Sequence, residues 1–350
     1  MHLAPLLALV PAIQDWSPPP PPPVVPATLM SQPRFAPFVV PDALRVVTSE
    51  SALEPLAPLV ASLLGGLLDR PVEVGAPPSR SGDVVLTLGY LAEPVAASDE
   101  GFAIEVFDDH VALSGNEGAG IARAVARLLQ LFEKSEETGA WSLPPVRIDD
   151  APAYGWRALE VEGTLDARAA LRALEIAHLA SFNVVVVGGR TDDDPAVASA
   201  ARLRGIQLIV GDAKGRPTRW TSGADADDVE RARSLSAQAL LDATSAVPAA
   251  GIDTPSADEI RAAFAYRPLA SLVEAWGGAG AEGVPTVAGA RVLLPESALA
   301  PAAKIPPLLP YAADALWGRR AADLGLEAYR ARAEAFRARV AALPSAAGER

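Results

Sequence analysis

The chain has 350 residues, with 30 Lys and Arg against 43 Asp and Glu, a net charge of −13. Half of it is apolar and 21% is charged, which excludes disorder as its general state. The acidic balance argues against nucleic acid and anionic membrane as partners, and the absence of cysteine removes disulfides, thiolate metal sites and a Cys nucleophile.

Leu3 to Ala12 is an apolar stretch ending in Val10-Pro11-Ala12. It has the length of a signal-peptide core and falls well short of the roughly 20 residues a membrane span needs. Only Met1 and His2 precede it, with no basic residue, so the signal is incomplete and an ordinary N-terminal tail is the other reading. The expectation is a signal peptide over 1–12, a secreted or periplasmic protein, and no membrane span. Pro18 to Pro23 then form an uninterrupted run, a polyproline II spacer or an SH3-type ligand, within a proline-rich linker over 13–34.

Residues 35–148 read as one small α/β domain. Leu44 to Val47, Asp83 to Gly89, Phe102 to Phe107 and His110 to Gly115 have strand character. Leu53 to Leu68 and Gly120 to Glu133 carry apolar residues at helical spacing. His110 sits at a hairpin, where a lone histidine is structural. Leu143 to Pro152 reads as a hinge into a second region, 149–350.

There the pattern becomes that of parallel strands alternating with helices. Trp156 to Val161, Asn183 to Val187 and Ile206 to Val210 are strands. Asp166 to Ala180 and Asp194 to Leu203 are helices, with Asp166 placed at the start of the first. Val229 to Ala243 and Ser256 to Phe264 read as helical, Arg291 to Leu294 as a short strand, and Pro310 to Ala342 as helical. With histidine at positions 2, 110 and 178 alone, a His-based metal site or triad has few possible members, and neither metal nor cofactor is expected.

The run Pro145-Val146-Arg147-Ile148-Asp149-Asp150-Ala151-Pro152-Ala153-Tyr154-Gly155-Trp156-Arg157 resembles the junction of glycoside hydrolase family 20, the β-N-acetylhexosaminidases. The preceding module is similar to that family's non-catalytic N-terminal domain. Asp166 to Val187, Arg204 to Ile209 and Leu309 to Leu343 are similar to elements of its (β/α)8 barrel. The resemblance implies an α/β protein: a small α/β N-terminal domain followed by a truncated or incomplete TIM-type (β/α) barrel. It also implies N-acetylhexosamine-containing glycans as partners.

That family uses the substrate's own acetamido group as nucleophile, oriented by an Asp, with the adjoining Glu as acid, a departure from the two-carboxylate scheme. Its His-x-Gly-Gly-Asp-Glu string does not occur in this chain. The nearest counterpart, Gly251-Ile252-Asp253-Thr254, keeps the Asp as Asp253 and puts Thr254 at the acid, where a hydroxyl cannot protonate a leaving group near neutral pH. Asp258 and Glu259 form an adjacent acid pair, read either as a relocated acid or as a helix start capped by Ser256. The resemblance makes Arg157 a contact to the terminal sugar, against an ion pair with Glu160 or Glu162 at the barrel bottom. It makes Trp276 a wall of the acetamido pocket, against plain core packing. Asp192 to Asp194 read as a cation loop or as a solvated helix start, and Trp317 as core.

Ala151 to Arg350 leaves 200 residues for a barrel that ordinarily takes about 250. Shortened loops and a missing acid motif agree, because barrel sites are built from those loops. The leading expectation is a catalytically impaired relative that binds glycans. The alternatives are an active hydrolase with a relocated acid and a non-enzymatic structural or interaction module.

Overall fold

The computed structural model describes residues 30–33, 36–89, 91–93, 95–153, 155–188, 194–211, 217–220, 240–242, 289–294, 296–299, 309–310, 313, 317 and 326–342. In chain order the first module contains strands β1 (Met30–Pro33), β2 (Phe38–Val39) and β3 (Arg45–Thr48), then helix α1 (Ala57–Leu68). It continues through β4 (Glu73–Gly75), β5 (Asp83–Leu88), β6 (Phe102–Val106), β7 (Val111–Gly115) and helix α2 (Gly118–Leu131). It closes with β8 (Glu133–Lys134), β9 (Trp141–Leu143) and β10 (Val146–Asp150).

Seven of these strands form one sheet in the order β1-β10-β6-β7-β5-β3-β4, and β2, β9 and β8 form a small second sheet. Two expectations are corrected. Met30–Pro33, placed in the linker, pairs antiparallel with β10, and Val146–Asp150, read as hinge, lies between β1 and β6. The prolines at 144, 145 and 152 flank that strand without interrupting its ladder.

The expected helices form because their apolar positions fall on one stripe. In α1, Val60, Leu64, Leu67 and Leu68 are buried, and the helix ends at Asp69 in the left-handed region, φ 54°. Helix α2 differs: nearly its whole surface is covered, Arg123 and Arg127 included. One side packs on β6 and β7 and the other meets the second region, so this helix is the seam between the two.

The second region runs β11 (Trp156–Thr164), α3 (Ala167–Leu179), β12 (Val184–Gly188), α4 (Pro195–Leu203) and β13 (Gln207–Gly211). After it come β14 (Pro217–Trp220), β15 (Leu240–Asp242), β16 (Gly289–Leu294) and helix α5 (Leu326–Ala342). Its sheet has the order β14-β13-β12-β11-β16-β15, parallel throughout except for β14. β16 pairs with β11, the neighbour relation of last and first strands in a (β/α)8 barrel. Among the described residues the sheet stays open, as a truncated barrel would. Leu240–Asp242 is a strand where a helix over 229–243 was expected. The rest of that span and the expected helix at 256–264 lie outside the described residues. Leu309, Pro310, Ala313 and Trp317 are helical, as is Leu326–Ala342, within the expected terminal helix.

Alternation along the strands sorts the sheet faces. Leu159 and Val161 of β11 and Val185 and Val187 of β12 share one core with Ala170, Ala173 and Leu174 of α3. Ala158, Glu160, Val184 and Val186 point to the opposite face. Among the described residues no helix is long and apolar enough to cross a membrane.

Close packing of α2 on its sheet depends on glycine. A Cβ on Gly120 would overlap the Gly101 carbonyl, whereas a Cβ on Gly118 would meet nothing within 4 Å. Gly120→Ala should therefore cost about 1–3 kcal/mol, by the overpacking argument. Gly118→Ala should be neutral or slightly stabilising, and urea unfolding of both variants makes the comparison.

Candidate functional site

The amino ends of the barrel strands are sealed by charge. Glu100, in the loop before β6, accepts through Oε2 from Arg123 Nε at 2.7 Å and from an Arg157 guanidinium nitrogen at 2.5 Å. Its Oε1 accepts from Asn183 Nδ2 at 3.0 Å. Arg157 Nε donates to the Ser181 carbonyl at 2.9 Å, and Arg123 donates to the Gly205 carbonyl at 2.8 Å. Arg127 and Arg157 lie over the ring of Trp317, 4.9 and 5.0 Å from its centroid, and Trp317 Nε1 donates to Asp150 at 3.0 Å. The cluster joins β10, α2, β11 and the starts of β6 and β12.

Arg157 is thereby placed. It is the second residue of β11, at the strand's amino end, and 1% exposed. This is the barrel-bottom ion pair, with Glu100 of the first module as partner, and it leaves the guanidinium no face for a sugar. Trp317 is core, as expected. Asp253, Asp258, Glu259 and Trp276 lie outside the described residues, as do Asp192 and Asp193. Asp194 is described and caps α4, accepting from Ala196 N at 2.8 Å. Asp166 likewise caps α3, accepting from Ala169 N at 2.7 Å. His110 bonds Asp109 at 2.7 Å and stacks on Phe107, a hairpin role.

The opposite end, where the parallel strands finish, is where barrels carry their chemistry. Here β11 passes through Gly163 at φ 95° before Thr164, and β12 ends at Gly188. The two approach so closely that a Cβ on Gly188 would overlap the Gly163 carbonyl. Glu296, just past β16, brings its carboxylate against the Gly163 Cα position, so a side chain there would collide with it. Glu296, Gly163 and Thr164 are all exposed. Asp166, Asp194 and Glu296 are carboxylates at this rim. Asp166 and Asp194 are held by helix amides, and Glu296 faces solvent beside bare backbone. Such a carboxylate can accept hydrogen bonds from vicinal hydroxyls. Sequence reasoning missed Glu296, although an acid two residues beyond a predicted strand at Arg291 to Leu294 was a signal. Among the described residues no group of three His, Cys, Asp or Glu could hold a metal ion.

Comparison with known proteins accords with this architecture. Residues 21–151 match the family described as glycosyl hydrolase family 20, domain 2. A β-N-acetylhexosaminidase of Cellulomonas fimi is 35% identical over 127 residues, 36% of this chain and 25% of that relative. The chain therefore spans about a quarter of the length of the curated relative it matches. The GH20 β-N-acetylhexosaminidase of Streptomyces coelicolor A3(2) superposes with a TM-score of 0.61 at 15% identity, covering 93% of this chain and 97% of that one. A mutant Streptomyces plicatus β-hexosaminidase in complex with product (GlcNAc) gives 0.57 at 15% identity, covering 94% and 97%. These two likenesses show the fold. The resemblance to family 20 is thus shown by sequence in the first module, and beyond it the likeness is one of fold alone.

The seam has a definite response to acid. His178 of α3 is 1% exposed, and among the described residues neither ring nitrogen has a hydrogen-bond partner. Burial, then the charges of Arg204, Arg123 and Arg127, hold it well below the ordinary imidazole value. The folded chain therefore refuses a proton that the unfolded chain takes up below about pH 6.5, and stability should fall by about 1.4 kcal/mol per pH unit below that point. Between about pH 5 and 6.5, urea unfolding should show a pH slope smaller by about that amount in His178→Leu than in the wild type. Glu100 acts lower. Burial alone would raise its carboxyl, but the charges of Arg157 and Arg123 hold it at about 2. Its contribution is whole above about pH 4.3 and is lost as pH falls toward the folded value. Glu100→Gln should cost about 3–5 kcal/mol at neutral pH, because it strands two buried guanidinium groups.

Proposed function

We propose that this protein is a β-N-acetylhexosaminidase-like glycan binder whose hydrolase chemistry is impaired, taking N-acetylhexosamine-containing glycans at the carboxyl ends of β11, β12 and β16. The observation that carries this reading is the pairing of a family 20 resemblance with a sequence lacking the family's Asp-Glu string, its nearest counterpart being Asp253-Thr254. A Thr cannot supply the proton that departure of the leaving sugar requires. Binding needs less. The exposed Glu296 carboxylate beside the bare Gly163 backbone gives one acceptor for sugar hydroxyls, and Trp276 is the candidate stacking ring. The relative from Cellulomonas fimi is named a β-N-acetylhexosaminidase, and the Streptomyces plicatus neighbour holds GlcNAc, which supports the choice of ligand class. The apolar segment Leu3 to Ala12 supports export, to the periplasm or outside the cell.

Two measurements test the proposal on the full chain. N-acetylglucosamine or chitobiose should raise the melting temperature saturably, and Glu296→Gln should reduce that shift while leaving the unliganded melting temperature unchanged. An aryl N-acetylglucosaminide should be cleaved at or near the background rate. Enzyme-like turnover abolished by Asp253→Asn, or by Glu259→Gln, would overturn the impaired reading in favour of a working hydrolase. Absence of any ligand-induced shift would overturn the binding reading in favour of an interaction module.

A further inference from the structure

A cleft of about 440 Å³ opens between the end of α2 with β8 on one side and α5 on the other. That volume is in the range of small-molecule sites, which favour junctions between domains. Its apolar wall comes from Phe132, Pro144, Ala335 and Phe336, and its charged groups are Glu133, Lys134 and Arg339. The two cations are positioned rather than loose. Lys134 Nζ and the Arg339 guanidinium both lie over the indole of Trp141, 5.5 and 5.8 Å from its centroid. Arg339 also donates to the Phe132 carbonyl, which ties α5 to the first module and fixes where its charge stands. Among the described residues neither cation has a carboxylate within ion-pair distance. Two cations against one acid make the cleft locally positive on a chain of net charge −13.

We propose that this cleft binds a small organic anion with an apolar body, a medium-chain or aromatic carboxylate. Its carboxylate sits between Lys134 and Arg339, and its hydrocarbon part lies against Pro144 and Ala335, beneath which Phe132 and Phe336 are buried. The polar requirement follows from the two fixed cations, and the apolar requirement from the accessible apolar surface of Pro144 and Ala335. None of the rim residues Gly163, Gly188 or Glu296 lines the cleft, so the site stands apart from the glycan reading.

The test is calorimetric titration of the full chain with octanoate and with phenylbutyrate, using octanol and phenylbutanol as neutral matches. The carboxylates should bind saturably at one site, and the alcohols at least about tenfold more weakly. Lys134→Glu should weaken carboxylate binding by about tenfold or more with its melting temperature kept, because Lys134 is exposed. Ala335→Trp, at an exposed position of α5, should fill the cleft and abolish binding. The proposal is overturned if alcohols and carboxylates bind alike, if both variants bind as the wild type does, or if no carboxylate binds at about 10 mM.

Discussion

A single carboxylate compensates two buried guanidinium groups that arrive from the two regions of the chain, one from the first module and one from the second. Glu100 receives Arg123 from α2 and Arg157 from β11, and Asn183 closes its other oxygen. With that junction made, α2 is covered on both sides, and the first module lies across the amino ends of the parallel strands. Among the described residues the first module leaves the carboxyl ends uncovered. The small module therefore decides which end of the sheet it covers.

The seam is unusually polar for a surface so completely buried. Arg123, Arg127, Arg204 and His178 are buried close to one another within it. An apolar interface of equal area would tolerate sliding, since hydrophobic contact has little direction. Guanidinium groups fixed on carbonyls and one shared carboxylate accept one register only. Polarity here trades some stability for a defined docking angle.

Much of the architecture was legible in the sequence. The stripes of α1 and α2 and the unbroken apolar run Val184 to Val187 specify their elements locally, and Asp166 and Asp194 announce their helices by capping them. What escaped was structure defined by partners distant in the chain. Met30–Pro33 has no strand signature of its own and exists as a strand because β10 offers it a free edge. Val146–Asp150 alternates correctly, yet its flanking prolines mimic a hinge. Arg157 could be placed in an ion pair from its neighbours, but the partner, Glu100, is 57 residues away and belongs to another module. Glu296 was hidden for a related reason: its setting is the Gly163 backbone across the sheet.

Trp317 gives the chain a direction in time. Its indole is the shared lid over Arg127 and Arg157 and the donor to Asp150, all residues synthesised more than 150 positions earlier. A nascent chain can assemble the seven-stranded sheet and its two helices while the rest is still being made. It cannot dry the underside of that module until the segment carrying Trp317 has emerged. Until then Arg127 and Arg157 lack that lid, and the seam between the two regions is incomplete.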